Sequence, residues 1–466
     1  MNLARWTIGL AVIALGASPV LAQSAVQTAF NFQLTGCCEE PSCCADEPSC
    51  CCDEPSCGCD EPSCCCDEPS CGCDDGCCGD SCCGDACGCG SACGGGCGGF
   101  GLSTPCNCNL GEAWTLSGAL LGDDYAFSFG GWTQLGYHTE QTPLSGTRGD
   151  VFAFNDVPDD LNLQQQWMWF ERVADGSNGL DWGFRFDVMY GTDAQKTQAF
   201  GNQLPLWDAS AGFSRGVYGW AMPQAYLELA AGDWSVIGGH FYTLVGYEVV
   251  TAPDNFFYSH AYTMFNSEPF THTGVLSTYS GFENVEVYGG WTAGWDTGFD
   301  QFGSGSSFLG GFSANLTEKL AFTYITTFGD FGARSRNTDT GAVDGSAYSH
   351  SMVFDYAATD KLNYVLQSDL VIVDDTVGNN QGGINQYLFY TLNDCMALGT
   401  RIEWWRDGAA DFNAATFGLN YRPHANVVVR PEVRYDWTTA GVYPNDPSGS
   451  TRTDETTFGV DFIITY

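Results

Sequence analysis

From Tyr125 to the C-terminus, apolar and polar residues alternate with period two in short runs separated by turn residues. Such runs are strands that show one face to an apolar surrounding and the other to a polar one. In Asp181–Tyr190, Trp182, Phe184, Phe186, Val188 and Tyr190 share one face, while Asp181, Gly183, Arg185 and Asp187 share the other. The pattern predicts sixteen strands, near 125–138, 163–172, 180–190, 220–230, 233–242, 273–280, 284–292, 306–315, 319–328, 346–357, 361–373, 383–392, 396–406, 412–422, 426–436 and 455–466. Their connections alternate in length. Asp175–Asn178, Ala231–Asp233, Thr317-Glu318, Thr359-Asp360 and Asn393-Asp394 read as tight turns. Between them come long segments such as 139–162, 191–219 and 243–272, with one exception at Asp407–Asp411. Short turns at one end and long loops at the other are the asymmetry of a transmembrane barrel.

The last run supports closure. Phe458, Val460, Phe462, Ile464 and Tyr466 alternate with Thr457, Gly459, Asp461, Ile463 and Thr465, and the sequence stops on the aromatic. An open edge there invites aggregation, whereas pairing with the first strand removes it. The expected fold is all-β: an antiparallel transmembrane barrel of about sixteen strands over 110–466, in contact with outer-membrane lipid. Phe462, Ile464 and Tyr466 resemble the terminal signal read by the machinery that assembles such barrels.

The body resembles the OmpL-like outer-membrane β-barrel porin-2 family. The resemblance is carried by Gly130-Gly131-Trp132, Pro223-Gln224-Ala225-Tyr226 and Gly238-Gly239-His240-Phe241, then Asn255-Phe256-Phe257-Tyr258-Ser259-His260, Glu268-Pro269 and Thr273-Gly274-Val275. It covers roughly Leu110 to Tyr466 and implies a membrane channel without implying a solute. The segment before it lies outside the resemblance.

That segment changes the picture. Residues 1–22 read as a secretory signal: Arg5, an apolar run from Trp6 to Val20, then Val20-Leu21-Ala22 with small residues suited to cleavage. Residues 23–109 follow as an acidic, low-complexity stretch. Of the chain's 25 cysteines, all but Cys395 fall between Cys37 and Cys108. Glu-Pro-Ser-Cys recurs every seven residues, ending at Cys43, Cys50, Cys57, Cys64 and Cys71. Almost no large apolar residue occurs there, so the stretch builds no core of its own. Three readings fit it. In an oxidising compartment the thiols form disulfides within the chain or to other envelope or wall proteins. Thiolates with carboxylates also suit zinc or soft metals. The third reading is an acidic spacer. The sequence implies no resident cofactor.

The formal net charge is −40, from 56 Asp+Glu against 16 Lys+Arg, and no Lys or Arg lies between Arg5 and Arg148. That excludes nucleic acid as a partner, since such binding rests on cationic contacts to phosphate. No nucleophile elbow or His-Glu-x-x-His pattern is present, so an enzyme is not expected. Candidate pore-lining charges on the polar strand faces are Arg172, Arg185, Asp187, Glu228, Arg401, Glu403, Arg430, Glu432 and Arg434, with Glu286 and Asp355 inward elsewhere. They either select solutes by charge or brace the wall by pairing. The loop from Thr243 to His272 is the candidate constriction, carrying Glu248, Asp254, His260, Glu268 and His272. The expected function is a porin for passive diffusion of small hydrophilic solutes or ions in the outer membrane of a Gram-negative-type envelope. Its cysteine-rich segment is expected on the periplasmic side as a tether, and homo-oligomers are possible partners. The alternative is a structural envelope protein, in which the barrel anchors a segment that forms cross-links or binds metal.

Overall fold

The structure is a computed structural model that describes residues 108, 110–122, 125–145, 154–201, 207–208, 216–333, 342–343, 347–373, 380–439 and 453–466. The signal, the repeats and Cys43, Cys50, Cys57, Cys64 and Cys71 lie outside the described residues. The described residues from 110 to 466 belong to one compact unit, and Cys108 falls to a second. Both cysteines among the described residues, Cys108 and Cys395, are disulfide-bonded.

Sixteen antiparallel strands close into one barrel. They are β1 (Ser128–His138), β2 (Asn162–Arg172), β3 (Asp181–Gly191), β4 (Gly219–Ala231), β5 (Trp234–Tyr242), β6 (Thr271–Tyr279), β7 (Val285–Thr292) and β8 (Ser306–Thr317). There follow β9 (Leu320–Asp330), β10 (Ala347–Thr359), β11 (Leu362–Val373), β12 (Gln381–Asn393), β13 (Met396–Asp407), β14 (Ala410–His424), β15 (Val427–Thr438) and β16 (Asp454–Thr465). Each strand pairs with its sequence neighbours, and β16 pairs with β1 through Trp132↔Thr465 to His138↔Gly459. The terminal Tyr466 finishes the seam: its N–H donates to the Gly131 carbonyl at 2.9 Å, and its carbonyl accepts from Gly131 at 2.8 Å. With the sheet closed, no strand of the barrel is left with a free edge.

The period-two pattern separates two surfaces. Trp182, Trp234, Tyr356, Tyr390 and Tyr421 stand exposed toward the short-turn end, and Trp220, Trp291, Phe328, Tyr435 and Phe458 toward the long-loop end. Between them Phe170, Phe186, Leu227, Val275, Ile402, Phe417 and Val433 are also exposed. Two aromatic girdles flanking an apolar band are the lipid-facing surface of an outer-membrane barrel. The inward positions are instead polar and mostly covered: Gln165, Asp187, Asn385, Arg401, Asp436 and Asp461 are all buried. In addition, a two-residue ladder pairs Gly332–Ala333 with Ala342–Val343, a feature with no counterpart in the sequence expectation.

Before β1, a strap from Leu110 runs along the short-turn rim into the helix α1 (Leu116–Leu121). Leu110 accepts from the Ala425 N–H at 2.8 Å. Asn426 fixes Trp114 twice, accepting from its N–H at 3.0 Å and donating to its carbonyl at 2.7 Å. Thr115 caps α1 by accepting from the Gly118 N–H at 3.1 Å. The other short helices, α2 (Thr192–Thr197) and α3 (Tyr262–Asn266), lie in the connections after β3 and β5.

Candidate functional site

The connection from β5 to β6, Thr243 to Phe270, folds into the barrel and is fastened to the inner face of β13–β16. Three arginines on that face hold it. Arg401 on β13 meets Glu248 of the loop at 2.6 Å and the wall carboxylate Glu403 at 2.7 Å, and donates to the Ser259 carbonyl at 2.8 Å. Arg434 on β15 binds Glu403 and Asp436, each at 2.9 Å, and donates to the His260 carbonyl at 3.0 Å. Arg430 forms a two-pronged pair with Asp461 of β16, at 2.9 and 2.5 Å, and reaches the Ala252 carbonyl at 2.8 Å. A guanidinium has five donors in a planar fork, so it can satisfy a wall carboxylate and a loop carbonyl together.

Wall carboxylates also receive loop amides. Glu432 accepts from the Tyr258 and Ser259 N–H groups at 2.9 and 3.1 Å, and Glu403 from the Tyr262 N–H at 2.8 Å. The aromatic run Phe256-Phe257-Tyr258 lies directly on the wall where inward positions are glycine. A Cβ at Gly399 would stand 2.4 Å from the Phe256 ring, and one at Gly136 2.4 Å from the Tyr258 hydroxyl. Those glycines let the loop approach to contact distance. At the loop's far end, Gln367 donates at 2.7 Å to both Glu268 and Asp369 of β11, and Asn385 donates to Thr263 at 2.6 Å.

The two loop carboxylates sit in opposite fields. Burial raises the Glu248 carboxyl, but Arg401, His260 and the Ala261 N–H outweigh it and hold it down at about 2. Glu268 is pushed well above the usual carboxylate range, by burial first and then by the Asp369 charge. Burial also raises Asp254, against the fields of Arg185, Arg422 and Arg430.

The opposite wall differs. At the loop's level, Val245 packs into an apolar cluster with Tyr226, Phe241, Leu276, Tyr288, Leu309 and Ile325. Toward the short-turn end the inward residues are polar and include Glu228, Glu286 and Asp355. Glu228 accepts from the Ser235 hydroxyl at 2.5 Å and Glu286 from the Tyr288 hydroxyl. None of the three has a cation partner among the described residues. Arg185 on β3 is committed to Glu171 at 2.6 Å and Asp187 at 2.5 Å.

These placements alter several sequence expectations. Arg401, Glu403, Arg430, Glu432 and Arg434 face inward, but the loop covers them at 0–6% exposure, so they fasten the loop and do not border free lumen. Asp187 is likewise fully buried. Arg172 does not face the lumen: it sits directly opposite Phe184 on the lipid-side face, pairs with Asp181 at 3.0 Å and lies over the exposed Trp182 ring. A long cation at a strand end reaches the interface this way. His272 belongs to β6, not to the loop, and it contacts Thr243 Oγ1 and the Gly294 carbonyl. His260 lies 3.5 Å from Glu248. No three His, Cys, Asp or Glu side chains among the described residues converge on a metal position.

Sequence reasoning missed Asp436 and Asp461, the carboxylates that Arg434 and Arg430 grip. Both lie at inward parity on strands already recognised, which is the signal that finds them. It also missed the buried Lys196–Asp156 pair at 2.9 Å, which joins two outer loops and carries no periodic signal.

A closed sixteen-stranded barrel with a lipid-facing apolar band, a polar interior and a loop folded inside is an outer-membrane barrel of the channel type. Residues 126–466 match the family model described as "Putative beta-barrel porin-2, OmpL-like", and the chain belongs to that family. Solved structures are similar to the chain at low identity. The outer membrane channel DcaP of Acinetobacter baumannii is 10% identical, with 73% of this chain and 97% of that chain covered and a TM-score of 0.49. An anion-selective porin from Comamonas acidovorans is 11% identical, covering 73% and 99%, with a TM-score of 0.47. OmpT of Vibrio cholerae, in a trimer form, is 13% identical, covering 73% and 99%, with a TM-score of 0.44. No curated protein sequence matches the chain.

Proposed function

We propose that the protein is a passive diffusion channel, not an enzyme, for small hydrophilic solutes and ions, narrowed by the Thr243–Phe270 loop and preferring cations. The observation that carries this reading is the one-sided attachment of the loop. With the wall carboxylates it occupies Arg401, Arg430 and Arg434 on one wall, and it leaves Glu228, Glu286 and Asp355 on the other without cation partners among the described residues. Fixed carboxylates in a low-dielectric passage raise the local concentration of cations. Planar-bilayer recording of the full chain tests it: ohmic steps with a reversal potential on the potassium side of a KCl gradient are expected. A folded, inserted barrel without current sinks the channel reading.

A second reading concerns the cysteine-rich segment as a periplasmic tether. The chain has 25 cysteines, an odd number, so at least one thiol has no partner within the chain. In an exported protein a leftover cysteine pairs with another molecule or stays reactive. Non-reducing gels of whole envelopes are expected to show high-mass species that collapse on reduction; a monomer under both conditions removes the tether.

A further inference from the structure

We infer that Arg422 is a specificity-determining residue of the channel: it holds small carboxylate- or phosphate-bearing anions at the inner mouth and thereby limits the preference for cations. The inference rests on the diffusion-channel reading.

Arg422 lies near the end of β14, where Tyr421 is exposed to lipid, so alternation turns Asn420 and Arg422 inward. It differs from the other inward arginines among the described residues. Arg185, Arg401, Arg430 and Arg434 each grip one or two carboxylates. The Arg422 guanidinium makes no ion pair and no side-chain hydrogen bond among the described residues, and it is half-buried. Asn420, the next inward residue, is also uncommitted: its Oδ1 is buried without a partner.

The surroundings of Arg422 leave its positive charge uncompensated. On its own strand stand Asn420 and His424. On β13 the register brings Ala397 opposite Asn420, and on β15 stand Val428 and Arg430, the latter already paired with Asp461. The loop contributes Asp254, near enough to act through its field but without a direct contact to the guanidinium. Position around the barrel matters equally. β14 is eight strands from β6, half of the sixteen-strand circumference, and β4 and β7 near β6 carry Glu228 and Glu286. One free guanidinium therefore faces an arc of unpaired carboxylates. Its fork matches the two oxygens of a carboxylate or phosphate, and the Asn420 amide supplies a neighbouring donor.

The test uses the full chain in planar bilayers under a KCl gradient, with inorganic phosphate then added on the short-turn side. Arg422→Gln is expected to raise the potassium-to-chloride permeability ratio by about threefold or more, because it removes an inward positive charge that no carboxylate pairs among the described residues. Phosphate is expected to reduce the wild-type current and to leave the Arg422→Gln current unchanged. Arg422→Lys is expected to restore the permeability ratio while weakening the phosphate effect, since an ammonium lacks the planar fork. Lys361→Gln, in an exposed turn, is expected to change neither. A conducting wild type whose ratio is unmoved by Arg422→Gln overturns the inference and leaves the channel reading standing; an inserted wild type that passes no current overturns both. An equal phosphate effect in wild type and Arg422→Gln overturns the anion site.

Discussion

The two inner walls of the barrel carry the same kind of sequence and use it differently. Beneath the loop on β13–β16, inward charges occur as matched sets: Arg401 with Glu248 and Glu403, Arg434 with Glu403 and Asp436, Arg430 with Asp461; Arg422, at the short-turn end of β14, stands outside these sets. On β4, β7 and β10 the inward charges are carboxylates that meet only neutral partners, such as the Ser235 and Tyr288 hydroxyls. What separates the walls is the loop between β5 and β6, which is fastened along β11–β16 and completes the coordination of Arg401, Arg430 and Arg434 there. An inward charge beneath the loop acts as a fastener, and one facing open lumen sets the field. Strand parity alone does not tell these roles apart.

The comparison breaks most visibly at Arg401. Arg401→Met leaves Glu248 and Glu403 buried without their shared cation, a change that costs about 3–5 kcal/mol when a buried pair loses one partner. Unfolding in urea and the temperature at which the barrel opens on a gel are expected to show this loss, and surviving channels to conduct more because the loop is freed. A stability within about 1 kcal/mol of wild type removes the fastening role, because it would mean that the buried pair contributes little. Gly399→Val attacks the same wall by volume. The new side chain meets the Phe256 ring, and overpacking of this kind costs about 1–3 kcal/mol. The same change at Gly289, whose Cβ position is open, is expected to be nearly silent.

How far the sequence reveals these walls depends on which force sets each feature. The sixteen strands were legible because lipid outside and polar interior impose a strict period of two on every one of them. Their ends agree to within a few residues: 180–190 became Asp181–Gly191, and 396–406 became Met396–Asp407. The start of β6 at Thr271 was not legible, because Thr271 and His272 lie under the loop exit and lack the alternation that lipid enforces. The inward parity of Arg401, Arg430 and Arg434 was readable, but their covering was not. Contacts such as Arg401 with Glu248 join positions 153 residues apart, and nothing local encodes them. Arg172 shares the face of the exposed Met168 and Phe170, so strand parity turns it outward; its charge alone suggests the polar face, and pairing with Asp181 over the Trp182 ring accommodates it at the interface.

The two loop carboxylates sharpen the comparison through pH, with opposite signs. Glu248 is held down at about 2, below its usual 4.5, so its contribution is present above pH 4.5 and is lost as pH falls toward 2. Glu268 is raised above 4.5, so its contribution is present below that value and fades as pH rises through its elevated midpoint. The loop is therefore expected to hold best between these limits, releasing at the Arg401 side in acid and at the Gln367 side in alkali. Glu268→Gln keeps a neutral side chain at the Gln367 contact and is expected to abolish the alkaline release. A shift of one unit in the midpoint corresponds to about 1.4 kcal/mol, which sets the size of the effect. Conductance recorded across pH, with tryptophan fluorescence as a structural control, decides it; an alkaline transition that persists in Glu268→Gln assigns the release to another group.

The smallest expected change in stability belongs to the open wall and isolates its field from its packing. Glu286 accepts from the Tyr288 hydroxyl and has no cation to lose. Glu286→Gln keeps the shape and an acceptor for the Tyr288 hydroxyl, so stability is expected to move by no more than about 1 kcal/mol, the net size of one neutral hydrogen bond. The permeability ratio is nevertheless expected to fall toward chloride, because one of the unpaired carboxylates has lost its charge. The double variant Glu286→Gln with Arg422→Gln is then informative. If the two groups face one shared passage, their opposite effects on the ratio cancel in part while neither disturbs the fold. If Glu286→Gln destabilises the barrel as strongly as a change at Arg401, the two walls are not different in kind, and the division between fastening and field-setting charges fails.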